Sequence, residues 1–109
     1  MRTIHLPLKA KWYEMIESRE KTEEYREIKP YWINRFTEPL KIGLPLLHHP
    51  LLPHNRSGRA YDAVKFSYGY TKRTMTFEIE SITIGKGNPE WGAPNEEVFI
   101  IKLGNRYGD

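Results

Sequence analysis

The spacing of apolar residues changes period several times along the chain, and each change marks an element. RTIHLPL, residues 2–8, alternates loosely and predicts a first strand that closes at Pro7. In LKAKWYEMIESRE, Leu8, Trp12, Met15 and Ile16 recur at the i, i+4, i+7, i+8 spacing of a helix with one apolar stripe. Lys11, Glu14 and Glu17 fall off that stripe, and the pattern stops near Glu20. TEEYREI carries no such stripe and reads as a strand, with residues 22, 24, 26 and 28 on one face and 23, 25 and 27 on the other. Pro30 suits a first helical position, so a short helix is expected to about Phe36, presenting Trp32 and Phe36 with Arg35 beside them.

The second half of the chain is written in period two. YDAVKFSYGY predicts a strand with Val64, Phe66 and Tyr68 on one face, and residues 69–73 form a turn. TMTFEIESITIG is the clearest strand: Met75, Phe77 and Ile79 face one way, Thr76, Glu78 and Glu80 the other. Its length calls for a bend or bulge near Ser81. GKGNPEWGAP is a Gly/Pro loop, and EVFIIKLG is apolar enough for a central strand. Between the halves, residues 37–60 hold prolines 39, 45, 50 and 53. That density denies a long helix or a central strand and predicts a long loop, with at most one short strand near Leu40–Gly43. Five or six strands and two or three helices, without a βαβ rhythm, predict a mixed α+β single domain over residues 1–109: a small barrel or half-barrel flanked by helices.

Composition narrows the chemistry. With 39% apolar and 28% charged residues among 109, the chain fits one globular domain. The absence of cysteine excludes disulfides, thiolate nucleophiles and thiolate metal sites. No leader-like segment opens the sequence and no apolar run nears the roughly 20 residues of a membrane span, so the expected location is the cytoplasm, with no membrane partner. A net charge of +3 tilts the protein mildly toward anionic partners. Seven tyrosines and three tryptophans supply rings beyond what a core of this size needs.

One segment stands against its own pattern. REKTEEYREI, residues 19–28, sets Lys21, Glu24 and Arg26 in a strand, where charges normally occupy a wet face. Glu24 and Arg26 share a face about 7 Å apart. Lys21 and Arg26 are natural contacts for phosphate or carboxylate, and Glu24 can pair with the exocyclic amine of a base or with Arg26. The plain alternative is an exposed ion pair worth about 0–1 kcal/mol.

Lys21, Glu24 and Arg26 in this window resemble the G-x-K-x-x-E-x-R pattern of the ASCH domain family, part of the PUA-like superfamily; Arg19 stands where the pattern has glycine. KPYW with Arg35, the Tyr61–Tyr70 segment, Arg73 and GKGNPEWG are also similar to ASCH sequences. The resemblance implies a small PUA-like β-barrel with a cleft beside the motif strand, and binding of RNA or a nucleotide. It also implies an alternative: a related branch hydrolyses the acetyl amide of acetylated cytidine, using a catalytic threonine where this chain has Glu24. On that alternative the protein is a metal-independent hydrolase of a modified nucleoside or RNA, with Lys21 and Glu24 as acid/base pair and Thr22 or Tyr25 assisting.

The candidate binding set is therefore Lys21, Glu24, Arg26, Trp32, Arg35, Tyr68, Tyr70, Arg73 and Trp91. The rings are stacking platforms for bases, while Trp12, on the helix stripe, is expected in the core. Lys72 and Lys86 extend the basic rim. His48, His49 and His54 lie in the proline-rich loop without a carboxylate at ligand spacing, so no metal and no cofactor are expected. His5, in the first strand, is either a titrating group or structural. A third reading makes the loop a contact segment of an adaptor.

Overall fold

The computed structural model describes residues 2–37 and 61–108. The expected short strand near Leu40–Gly43, the loop around it and the three histidines His48, His49 and His54 lie outside the described residues. The elements run β1 (Thr3–Leu8), α1 (Ala10–Glu17), β2 (Glu23–Glu27), α2 (Pro30–Thr37), β3 (Ala63–Tyr68), β4 (Thr74–Lys86), a single 3-10 turn (Pro89–Trp91) and β5 (Glu97–Arg106). The strands form one curled sheet in the order β1-β3-β4-β5-β2, a half-barrel with the two helices against it. Among the described strands only the β1–β3 pair is parallel.

β4 makes the curl. Its first part, residues 74–78, pairs with β3, and residues 77–86 pair with β5. Register shifts between Phe77 and Ile79 and between Ile79 and Ser81 bend the strand where its length required it. β5, the apolar strand, lies between β4 and β2. β1 is an edge strand, so Pro7 costs no ladder bond and the strand continues through it to Leu8.

That extra residue corrects the helix reading. Leu8 belongs to the sheet, α1 starts at Ala10, and its buried residues are Tyr13 and Ile16, with Trp12 and Met15 half-buried beside them. The main core joins Tyr13 and Ile16 to Phe36 of α2 and to the inner faces of the strands, including Phe66, Phe77, Phe99 and Ile101. A smaller cluster of Tyr25, Ala93 and Val98 packs on the opposite side of the sheet.

α1 ends in a reversal that brings the chain into β2. Arg19 takes a left-handed conformation with φ of 70°, and the Lys21 N–H returns to the Met15 carbonyl at 2.9 Å. A left-handed residue with a side chain costs roughly 1–2 kcal/mol relative to the ordinary helical region, which is why glycine is favoured there. This chain keeps an arginine, and its guanidinium lies 5.1 Å from the centre of the Phe77 ring.

Candidate functional site

β2 is buried on both faces, and its alternation sorts the charges. Glu24 and Arg26 pair across the ladder with Ile101 and Phe99 of the main core, whereas Tyr25 pairs with Ile100 over the smaller cluster. The reversal after α1 sets Lys21 three residues before Glu24. Its ammonium lies 2.8 Å from Glu24 Oε1 and donates to the Trp91 carbonyl at 2.6 Å. The rings of Trp12 and Tyr25 flank it, with centres 4.5 and 5.3 Å away. Arg26 Nη1 donates to Glu24 Oε2 and to the Tyr25 carbonyl, each at 2.7 Å, and the guanidinium lies over Trp32 at 5.2 Å.

The three head groups therefore meet one another. Lys21 is 1% exposed and Glu24 is 4% exposed, so a buried carboxylate binds one buried and one partly exposed cation, and the group keeps one positive charge. Burial holds the Lys21 ammonium below the ordinary lysine range; Glu24 pushes it back up, and Arg26 presses it down further. Burial likewise raises the Tyr25 phenol, whose hydroxyl donates to Glu23 and accepts the Asn88 N–H.

A hollow of about 400 Å³ lies beside β2, but Arg26 is the only one of the three that lines it. Glu27 and Glu96 line it too, so its rim is not basic. The reason is the pairing itself: Lys21 and Glu24 are spent on each other and on the Trp91 carbonyl. Arg26 Nη1 is engaged twice, and the Nε–Nη2 edge of a guanidinium is the edge that grips a phosphate with two bonds.

The rings divide. Trp32 is half-buried, stacked on Phe36 at 5.8 Å and edge-on to Tyr31 at 4.7 Å. Arg35 donates to the Tyr31 hydroxyl at 2.8 Å. Arg26, Trp32, Tyr31 and Arg35 thus form a continuous run of cation and ring along α2, and Tyr31 is 57% exposed. Sequence reasoning passed over Tyr31; its spacing of four from Arg35 on one helix was the available signal. Trp91 enters through its carbonyl, while its ring packs on the Tyr25 cluster. Trp12 is a wall of the Lys21 cage and not a core residue; Gly92 passes so close that a Cβ there would stand 2.9 Å from it.

Tyr68, Tyr70 and Arg73 gather elsewhere, at the β3–β4 turn. Arg73 pairs with Glu17 at 2.9 Å and lies over the rings of Tyr13 and Tyr68, and Tyr70 is 96% exposed. Lys72 is exposed on the same turn, and Lys86, at the end of β4, stands opposite Glu97. Thr22 is half-buried and its carbonyl accepts the Leu103 N–H. His5 is exposed, opposite Lys65 of β3. Among the described residues no three metal-ligating side chains cluster, and no helix is long and apolar enough to cross a membrane.

Two expectations follow from the triad. Glu24→Ala leaves the buried Lys21 ammonium and the partly exposed Arg26 guanidinium without their counter-charge and costs about 3–5 kcal/mol in urea unfolding. Lys21→Met leaves Glu24 with Arg26 and costs less, about 1–3 kcal/mol for the abandoned Trp91 carbonyl. The reverse order contradicts the central place of the carboxylate.

The second concerns pH. The unfolded chain binds the Lys21 proton more tightly than the folded one, so stability rises with pH between the lowered Lys21 value and the ordinary lysine value. The difference between wild type and Lys21→Met isolates this from Tyr25, whose raised value acts oppositely at high pH. Unfolding curves at a series of alkaline pH values check it; a difference independent of pH contradicts it.

Comparison with protein-family models, with curated proteins and with solved structures finds no match for this chain.

Proposed function

We propose that the protein binds RNA or a nucleotide at the face formed by Arg26, Trp32, Tyr31 and Arg35, in keeping with its resemblance to the ASCH domain. The observation that carries this reading is the alternation of guanidinium and ring along α2, beginning at a guanidinium already fixed by a buried carboxylate. A phosphate takes the arginine forks, and a base stacks on the exposed Tyr31 ring. Fixing Arg26 in advance lowers the ordering cost that a free surface arginine meets on binding. The hollow beside β2, with its two carboxylates, is not the phosphate site on this reading.

The hydrolase alternative draws on one fact, the lowered proton affinity of Lys21 beside Glu24. Against it, the Lys21 ammonium is enclosed by Glu24, a carbonyl and two rings, with no face open to a substrate. Binding is therefore preferred. The adaptor reading rests on the proline-rich loop, outside the described residues.

Filter binding of short oligoribonucleotides at two salt concentrations tests the proposal. Phosphate contacts make the affinity fall as salt rises, with a slope near 0.7 per neutralised phosphate on logarithmic axes for a single strand. Tyr31→Ala removes an exposed ring without touching the triad, and it should weaken binding by roughly 5- to 150-fold, the equivalent of about 1–3 kcal/mol. Binding that ignores both salt and Tyr31 contradicts the assignment, and turnover of acetylated cytidine abolished by Lys21→Met favours the hydrolase instead.

A further inference from the structure

The far end of the sheet carries a second basic group that the face on α2 does not include. Phe77 of β4 stands opposite Arg106 of β5, and the Arg19 guanidinium covers the Phe77 ring at 5.1 Å. Arg73 lies between the rings of Tyr13 and Tyr68, at 5.1 and 4.8 Å. Arg106, the last residue of β5, stands in register with Phe77. Arg19 and Arg73 thus lie over rings of the main core, with Arg106 beside Phe77, and Arg73 pairs with Glu17 at 2.9 Å. Two exposed rings are close to these arginines along the chain: Tyr70, 96% exposed on the β3–β4 turn that also holds Arg73, and Tyr107, 40% exposed and next after Arg106.

Arg19 is the telling member. It occupies a left-handed backbone position at φ of 70°, where glycine is at ease and an arginine is strained. A strained side-chain-bearing residue points toward a task for that side chain. The ring beneath it is fully buried already, so the guanidinium adds a positive charge at the surface more than it adds cover.

We propose that Arg19, Arg73 and Arg106 form a second contact surface for the phosphodiester backbone of the same RNA strand, with Tyr70 stacking a base beside it. This rests on RNA binding at the α2 face. Arg26 pairs beside Phe99, and Arg106 is the last residue of the same β5 strand. At roughly 3.3 Å per residue the two surfaces lie about 23 Å apart along β5. A strand of several nucleotides is needed to reach both, within the range of about 4–16 nucleotides that small single-strand-binding domains cover. The exposed rings favour nucleic acid over an acidic peptide, which has no base to stack.

The test compares oligouridylates of about 4 and about 16 nucleotides on wild type, Arg19→Gly, Arg73→Ala and Tyr31→Ala. Arg19→Gly relieves the backbone, so its melting temperature should equal or exceed that of wild type. It should nonetheless bind the long oligomer more weakly, with a salt slope shallower by about 0.7 for each phosphate the variant no longer neutralises, and bind the short one as before. Arg73→Ala should do likewise. Tyr31→Ala should weaken both lengths. If Tyr31→Ala weakens binding while both arginine variants bind the long oligomer as wild type does, the second surface is overturned and the α2 face stands. If only the arginine variants weaken binding, the α2 reading fails and this surface alone contacts RNA. Wild type that binds neither length overturns both, and oligoglutamate that binds here in place of RNA overturns the nucleic-acid assignment.

Discussion

One carboxylate organises this molecule. Glu24 gives an oxygen to Lys21 and the other to Arg26, out of contact with water. Charges moved out of water lose hydration that their mutual attraction barely replaces, so a buried triad of this kind adds little net stability. What it contributes is connection. Through Lys21 it ties β2 to Trp12 of α1 and to the carbonyl of Trp91; through Arg26 it ties β2 to Trp32 of α2. Both helices and the turn before β5 are thereby referred to a single point on an edge strand.

That arrangement explains why the two ends of the motif differ in availability. Lys21 faces a carboxylate, a carbonyl and two rings, and has no open side. Arg26 is fixed by the same carboxylate yet stays partly exposed, beside a run of rings that ends in the exposed Tyr31. A fixed guanidinium beside an accessible ring is a natural receptor for a phosphate with a base attached. The sheet carries the second basic group at its other end, around Phe77, so the two surfaces are separated by the length of β5. On this reading β5 serves as a ruler between them.

The parts of the fold written in side-chain periodicity were legible in the sequence. Alternation in β3, β4 and β5, the break near Ser81 and the start of α2 at Pro30 all follow from residue spacing. So did the parity that separates Glu24 from Tyr25. What escaped depends on backbone groups or on distant partners. A lysine in a charged strand reads as wet; nothing local announces that the Trp91 carbonyl, 70 residues on, will bury it. Trp12 read as core because a tryptophan on an apolar stripe covers either other apolar groups or a cation, and spacing does not distinguish them. Arg73 read as rim of the motif site; it stands at the β3–β4 turn and pairs with Glu17, 56 residues earlier. Pro7 read as a stop because edge position, which excuses a proline, is a property of the whole sheet.

If Lys21 secures the segment before β5, that segment should loosen locally when the ammonium is removed. The amides of Trp91, Gly92 and Ala93 donate to the carbonyls of Asn88 and Pro89, so their hydrogen exchange reports the anchoring directly. In Lys21→Met these three amides should exchange at least about tenfold faster relative to the β4–β5 ladder amides, corresponding to about 1.4 kcal/mol less local protection. Unchanged protection of the three, against the same internal reference, contradicts the claim that the buried triad holds this region together.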